Sequence, residues 1–105
     1  MIKEVYNETG ITGDFTEEFE VLAWRERPGA VQISWSNLAG SNDGTITVKV
    51  RLNSDHNWTT MSTIAMSAET DNAVFVSLNI FCKDVQIAYT ANSITSIDMV
   101  ISSAE

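Results

Sequence analysis

From Ala30 onward the chain alternates apolar and polar residues with a period of two. Val31, Ile33 and Trp35 alternate with Gln32, Ser34 and Ser36. Ile46, Val48, Val50 and Leu52 alternate with Thr45, Thr47, Lys49 and Arg51. Successive side chains on a strand point to opposite faces, so each segment predicts a strand with one dry and one wet face, Leu52 falling on the dry one. Residues 37–44 between them end in Asn42-Asp43-Gly44 and predict a loop. Asn and Asp hydrogen-bond their own backbone there, and Gly accepts positive φ.

The same reading extends along the rest of the chain. Ile2, Val5 and Tyr6 predict a short strand within residues 1–7, followed by turns at Glu8-Thr9-Gly10 and Gly13-Asp14. Phe19, Val21 and Ala23 alternate with Glu18, Glu20 and Leu22, a strand with its acidic residues outward; a helical turn capped by Thr16 competes. Pro28-Gly29 predicts a tight turn. Residues 53–58 form a polar turn closed by Trp58, whose ring can fold back over the end of a sandwich. Residues 59–66 predict a strand, and residues 73–80 another, with Val74, Val76, Leu78 and Ile80 on one face and Lys83-Asp84 as its break. Val85, Ile87 and Tyr89 alternate with Gln86, Ala88 and Thr90, and Ile97, Met99 and Ile101 with Asp98, Val100 and Ser102. About eight short strands, separated by turn residues and without a helical crossover pattern, predict an all-β fold. The expected architecture is an antiparallel β-sandwich, jelly-roll or immunoglobulin-like, in one domain over residues 1–105.

Charge narrows the partners. Fourteen acidic residues against six basic ones give a net charge of −8. Such a domain repels phosphate backbones and anionic membranes, so neither nucleic acid nor a membrane is an expected partner. Glu17, Glu18 and Glu20 read as a solvated face, with a cation site or a patch for a basic partner as the rival reading. No apolar run reaches the ~18 residues of a membrane span, and residues 1–5 lack a signal-peptide pattern. Cys82, the single cysteine, reads as a small hydrophobe in an apolar run. With no internal disulfide available, assembly inside a cell is the expectation.

Catalytic patterns do not emerge. One histidine, His56 in a polar turn, leaves no Ser-His-Asp or Cys-His arrangement. Gly-rich phosphate loops and Cys/His metal spacings are missing from the sequence, and Asn42 with Asp43 falls short of a calcium loop. Glu17 and Glu18, adjacent on a strand, point to opposite faces and cannot share a substrate. The expectation is a protein that is not an enzyme, takes no cofactor or metal, has no catalytic residue, and acts through its surface. Trp24, Arg25 and Arg27 are the candidate partner-binding residues, since Trp and Arg anchor interfaces. The rival reading has Trp24 capping the core.

Residues 30–102 resemble a diffuse group of small β-sandwich virion proteins of tailed bacteriophages. The resemblance is carried by a strand ending in Trp35, by Gly44-Thr45 opening the next, by the turn Ser54-Asp55-His56-Asn57-Trp58, and by the late strand Val85-Gln86-Ile87-Ala88-Tyr89-Thr90. The turn is also similar to one in discoidin-like carbohydrate-binding modules. His56 stands where glycine is usual and Gln86 where arginine is common. The resemblance implies a structural virion protein, assembled in the host cytoplasm: a capsid auxiliary or decoration protein, or a tail or fibre component. Its partners would be the major capsid or tail protein and further copies of itself. The alternative it implies is a sugar-binding module, with Trp58 or Trp24 as an aromatic platform for a glycan.

Overall fold

In the computed structural model, residues 2–20, 30–36, 44–52, 55–66, 72–77, 84–91 and 96–104 are described. They form eight strands: β1 (Ile2–Ile11), β2 (Phe15–Glu20), β3 (Ala30–Ser36), β4 (Thr45–Arg51), β5 (Thr59–Ala65), β6 (Asn72–Ser77), β7 (Asp84–Thr90) and β8 (Ile97–Ala104). The all-β expectation holds.

The pairing follows one rule. β1 pairs with β8, β2 with β7, β3 with β6 and β4 with β5, all antiparallel. The chain is a long ribbon doubled back on itself. Winding that ribbon adds two pairings, β3 with β8 and β4 with β7. The result is two four-stranded sheets, β1-β8-β3-β6 and β2-β7-β4-β5. An immunoglobulin sandwich keeps its first two strands in one sheet; here β1 and β2 lie in different sheets, which excludes that order. β3 and β4 also lie in different sheets.

The core comes from the two central strands of each sheet. β3 supplies Val31, Ile33 and Trp35, and β8 supplies Ile97, Met99 and Ile101. From the other layer β4 supplies Ile46, Val48 and Val50, and β7 supplies Val85, Ile87 and Tyr89. These are the inward residues that the alternation predicts. Fully burying such a side chain is worth about 1.5–3 kcal/mol, so this double layer dominates stability. Of the outer strands, β6 adds the buried Val76, and Val5, Phe15, Phe19, Met61, Ile64 and Val74 are half-buried against the core.

The two open sides of the sandwich differ. On the β1/β2 side, Tyr6 stacks on Phe15 with ring centroids 4.5 Å apart and planes within 11°. Phe15 in turn meets Tyr89 at 5.5 Å. This chain of rings ties the first sheet to the second. Asp14 Oδ1 accepts the Ala91 N–H at 2.7 Å, and Asp98 Oδ1 accepts the Gly10 N–H at 2.9 Å, so side-chain carboxylates finish the backbone bonding there. Burial, then the nearby Glu8 and Glu17 carboxylates, push the Tyr6 phenol above its ordinary pKa.

Several local expectations are corrected. Glu8-Thr9-Gly10 is not a turn: it lies within β1, where the register to β8 shifts between Glu8 and Ile11. Gly10 takes φ +65° there, a value that an irregularity in a strand can use and that glycine adopts freely. The acidic segment is a strand, not a helical turn, with Glu18 and Glu20 exposed but Glu17 half-buried beside Phe15 and Phe19. Leu52, expected on the dry face, is 59% exposed, because β4 ends at Arg51 and the alternation ends with it. β7 begins at Asp84, one residue before the alternation that starts at Val85.

Candidate functional site: the charged face of the second sheet

Strand register builds a polar surface on the outside of the second sheet. One cross-strand row runs Glu18, Gln86, Lys49 and Thr60; the next runs Glu20, Asp84 and Arg51. Residues directly opposite on neighbouring strands have Cβ atoms about 5 Å apart, so these side chains meet. Gln86 Nε2 donates to Glu18 Oε2 at 2.9 Å. Arg51 Nε donates to Asp84 Oδ2, also at 2.9 Å.

Arg51 is the best-held cation described on this face. Its guanidinium carbon lies 4.0 Å from the ring centroid of Trp58. The β4–β5 connection returns the chain so that Trp58, just before β5, comes under Arg51, the last residue of β4. Cation–π attraction of ~0.5–1 kcal/mol adds to the charge-assisted bond to Asp84. Asp84 is only 7% exposed, a position a carboxylate tolerates when a cation neutralises and hydrogen-bonds it. The pair therefore fixes a long side chain in one orientation before any partner arrives. Beside it, Glu18, Phe19, Glu20, Arg51 and Asp84 line an open depression of ≈ 150 Å³.

The candidates Trp24, Arg25 and Arg27 lie outside the described residues, as do Cys82, Asn42 and Asp43. His56 is exposed, and the described residues hold no group of three or more His, Cys, Asp or Glu side chains placed to share a metal ion. Trp58 is half-buried and lies against Arg51 at the end of β4. One face of its ring is taken by Arg51, which removes that face as a flat sugar platform. Among the described residues no helix is long and apolar enough to cross a membrane. The Arg51–Asp84–Trp58 arrangement is missing from the sequence reading. Its members are 33 and 7 positions apart, and only the winding of the ribbon joins β4 to β7.

No protein-family description matches this sequence, and neither does any curated protein. Solved structures do share its fold. The K1 cleaved adhesin domain of Lys-gingipain from Porphyromonas gingivalis W83 superposes with TM-score 0.69 at 14% identity, over 99% of this chain and 72% of that one. The PBSX exported protein XepA gives 0.58 at 11% identity, over 99% of this chain, which spans 37% of XepA. A family 29 carbohydrate-binding module from Piromyces equi gives 0.57 at 10% identity, over all of this chain and 91% of the module. At these identities the likeness is one of fold, and it is shared by phage-related proteins and carbohydrate-binding modules alike.

Proposed function

We propose that the wound ribbon, in its jelly-roll form, is a non-enzymatic structural module of a bacteriophage particle. Its finer role is that of a capsid auxiliary or decoration protein that binds the major capsid protein lattice. The observation that carries the reading is the Arg51 corner: an arginine held between Asp84 and Trp58 on a rigid, charged sheet face. Arg and Trp are the usual anchors of protein interfaces, and a side chain already fixed loses less entropy on binding. The virion assignment draws its support from the resemblance over residues 30–102. Many copies on a symmetric lattice would turn a small contact into firm attachment.

The test is cosedimentation of the purified chain with particles of the phage that encodes it. Binding at a fixed stoichiometry is expected, with loss on Trp58→Ala or Lys49→Glu in variants that keep the normal melting temperature. Failure to sediment with any particle, together with retention on a glycan array, would replace this reading by the carbohydrate-binding one. The polar rows of Glu18, Gln86 and Lys49 favour that second reading, since alternating donors and acceptors suit sugar hydroxyls.

A further inference from the structure

Two pairs of consecutive strands rim the sandwich, and they are joined to the fold differently. β5 and β6, with an open cleft between them, are tied at both ends, to β4 before them and to β7 after them. β1 and β2 form an arm, residues 2–20, tied to the remaining six strands at one end, through residues 21–29. β1 pairs only with β8 and β2 only with β7, each as the outermost strand of its sheet. Among the described residues, the arm supplies none of the buried core. Its Val5, Tyr6, Ile11, Phe15 and Phe19 lie half-buried against that core. The polar ties of the arm converge on the same two strands. The Gly10 N–H donates to Asp98 Oδ1 on β8, Glu18 Oε2 accepts from Gln86 Nε2 on β7, and Asp14 Oδ1 accepts the Ala91 N–H just after β7. The arm is a separable unit with one complementary seat: the outer edges of β7 and β8 and the Tyr89 ring.

We infer that the arm is exchangeable: residues 2–20 of one copy take the seat on β7 and β8 of a second copy, whose own arm crosses back in return. The seat itself selects this occupant. Every pairing that holds the arm at home forms again, unchanged, between two copies, so the exchanged dimer needs no free strand edge and no new complementary surface. Nine residues, 21–29, reach at most about 30 Å, enough to keep arm and body connected while the arm crosses to an adjoining body. The ladder from β1 to β8 is interrupted twice, between Glu4 and Tyr6 and between Glu8 and Ile11, which eases departure. β5 and β6 have no such freedom, because moving them would drag the core strands β4 and β7 along. A short link holds its own arm at an effective concentration on the order of 1 mM, so closed monomers dominate in dilute solution and exchange sets in when copies are crowded. The inference rests on strand order and connection and is independent of the virion reading.

The test is a disulfide that exchange places between chains. Glu18 and Gln86 are direct cross-strand partners, and such pairs have Cα atoms about 4.5–5.5 Å apart, within disulfide range. In a Cys82→Ser background, one full-length chain carries Glu18→Cys and a second, distinguishable by mass, carries Gln86→Cys. The two are unfolded together, refolded at about 1 mM and oxidised. The expected product is a disulfide between the two chains, in about fivefold or greater excess over a control in which the second chain carries Thr60→Cys on β5, the far edge of the same sheet. Refolding the same mixture at about 10 µM should lower its yield about tenfold or more. A chain carrying both Glu18→Cys and Gln86→Cys, refolded at that lower concentration, closes the link within itself. A mixed-chain yield no higher than the control overturns the inference, as does a yield that does not rise with concentration. So does a double variant that forms no internal link, since the arm then does not lie on β7 as exchange requires.

Discussion

The β1/β2 side and the β5/β6 side of this sandwich solve the same problem in opposite ways. Both are places where two sheets end and a core lies close to water. On the first, rings bridge the layers: Tyr6 on Phe15, and Phe15 against Tyr89. Once the interior is sealed by rings, the strands outside can carry six charged side chains. On the second, no charge lies on either strand, and the gap stays open. The lesson is that charge on an edge and closure of that edge go together here. Acidic residues can crowd this seam because the rings, and not the strands outside them, close it.

The widest separation between centre and rim comes from cavity-making substitutions. Ile87→Ala, at the fully buried centre of β7, is expected to cost about 3–4 kcal/mol in chemical denaturation. Ile64→Ala, half-buried beside the open cleft, is expected to cost less than half of that, because its side chain already has water nearby. Equal losses would mean that the cleft is as dry as the core.

Next in size are the two glycines at positive φ. Gly44 has φ +91°, and a Cβ built there collides with the Thr90 carbonyl oxygen; Gly10 has φ +65° with open space around it. Gly44→Ala should cost about 2–3 kcal/mol, from strain plus the clash, and Gly10→Ala about 1 kcal/mol from conformation alone. Thermal melts of the two variants rank them.

The rings sharpen the comparison itself. Phe15→Ala removes the bridge between sheets and is expected to lower stability by about 2 kcal/mol. Phe75→Ala, on the exposed rim, should leave the stability of the monomer within about 0.5 kcal/mol of the parent. A large loss at Phe75 would place that ring in the fold and not on its rim.

The smallest effect is alkaline. Because the Tyr6 phenol is raised, mainly by burial and then by Glu8 and Glu17, the unfolded chain releases this proton at lower pH than the folded one. Its contribution is complete below the ordinary tyrosine value near 10 and is lost as pH rises past it. Tyr6→Phe should therefore flatten the decline of melting temperature above about pH 10, and a scan from neutral to alkaline pH reads the slope.

Much of the fold was legible because the period-two pattern is written in each strand separately. Val31, Ile33 and Trp35, or Val85, Ile87 and Tyr89, needed no partner to declare their inward face. What eluded the pattern were features that depend on which strand lies next to which. Leu52 continues the alternation in sequence but sits past the last paired residue of β4. Glu8-Thr9-Gly10 has turn composition, yet pairing to β8 absorbs it as an irregular stretch. Asp84 opens β7 as a nearly buried carboxylate because Arg51, 33 residues earlier, neutralises it. The Arg51 corner was invisible for the same reason, although Arg51 and Trp58 could have been singled out as a cation and an aromatic flanking one short turn.

Doubling the ribbon back on itself has a mechanical outcome. Ile2 lies opposite Ala104, so residues near the two ends of the sequence leave from a single corner. A load applied between those points would peel β1 from β8 one hydrogen bond after another, like a zipper, instead of shearing the whole ladder at once. If the domain is tethered at that corner, it should let go at low force from that end while the twelve-residue interior of β3, β4, β7 and β8 stays shut.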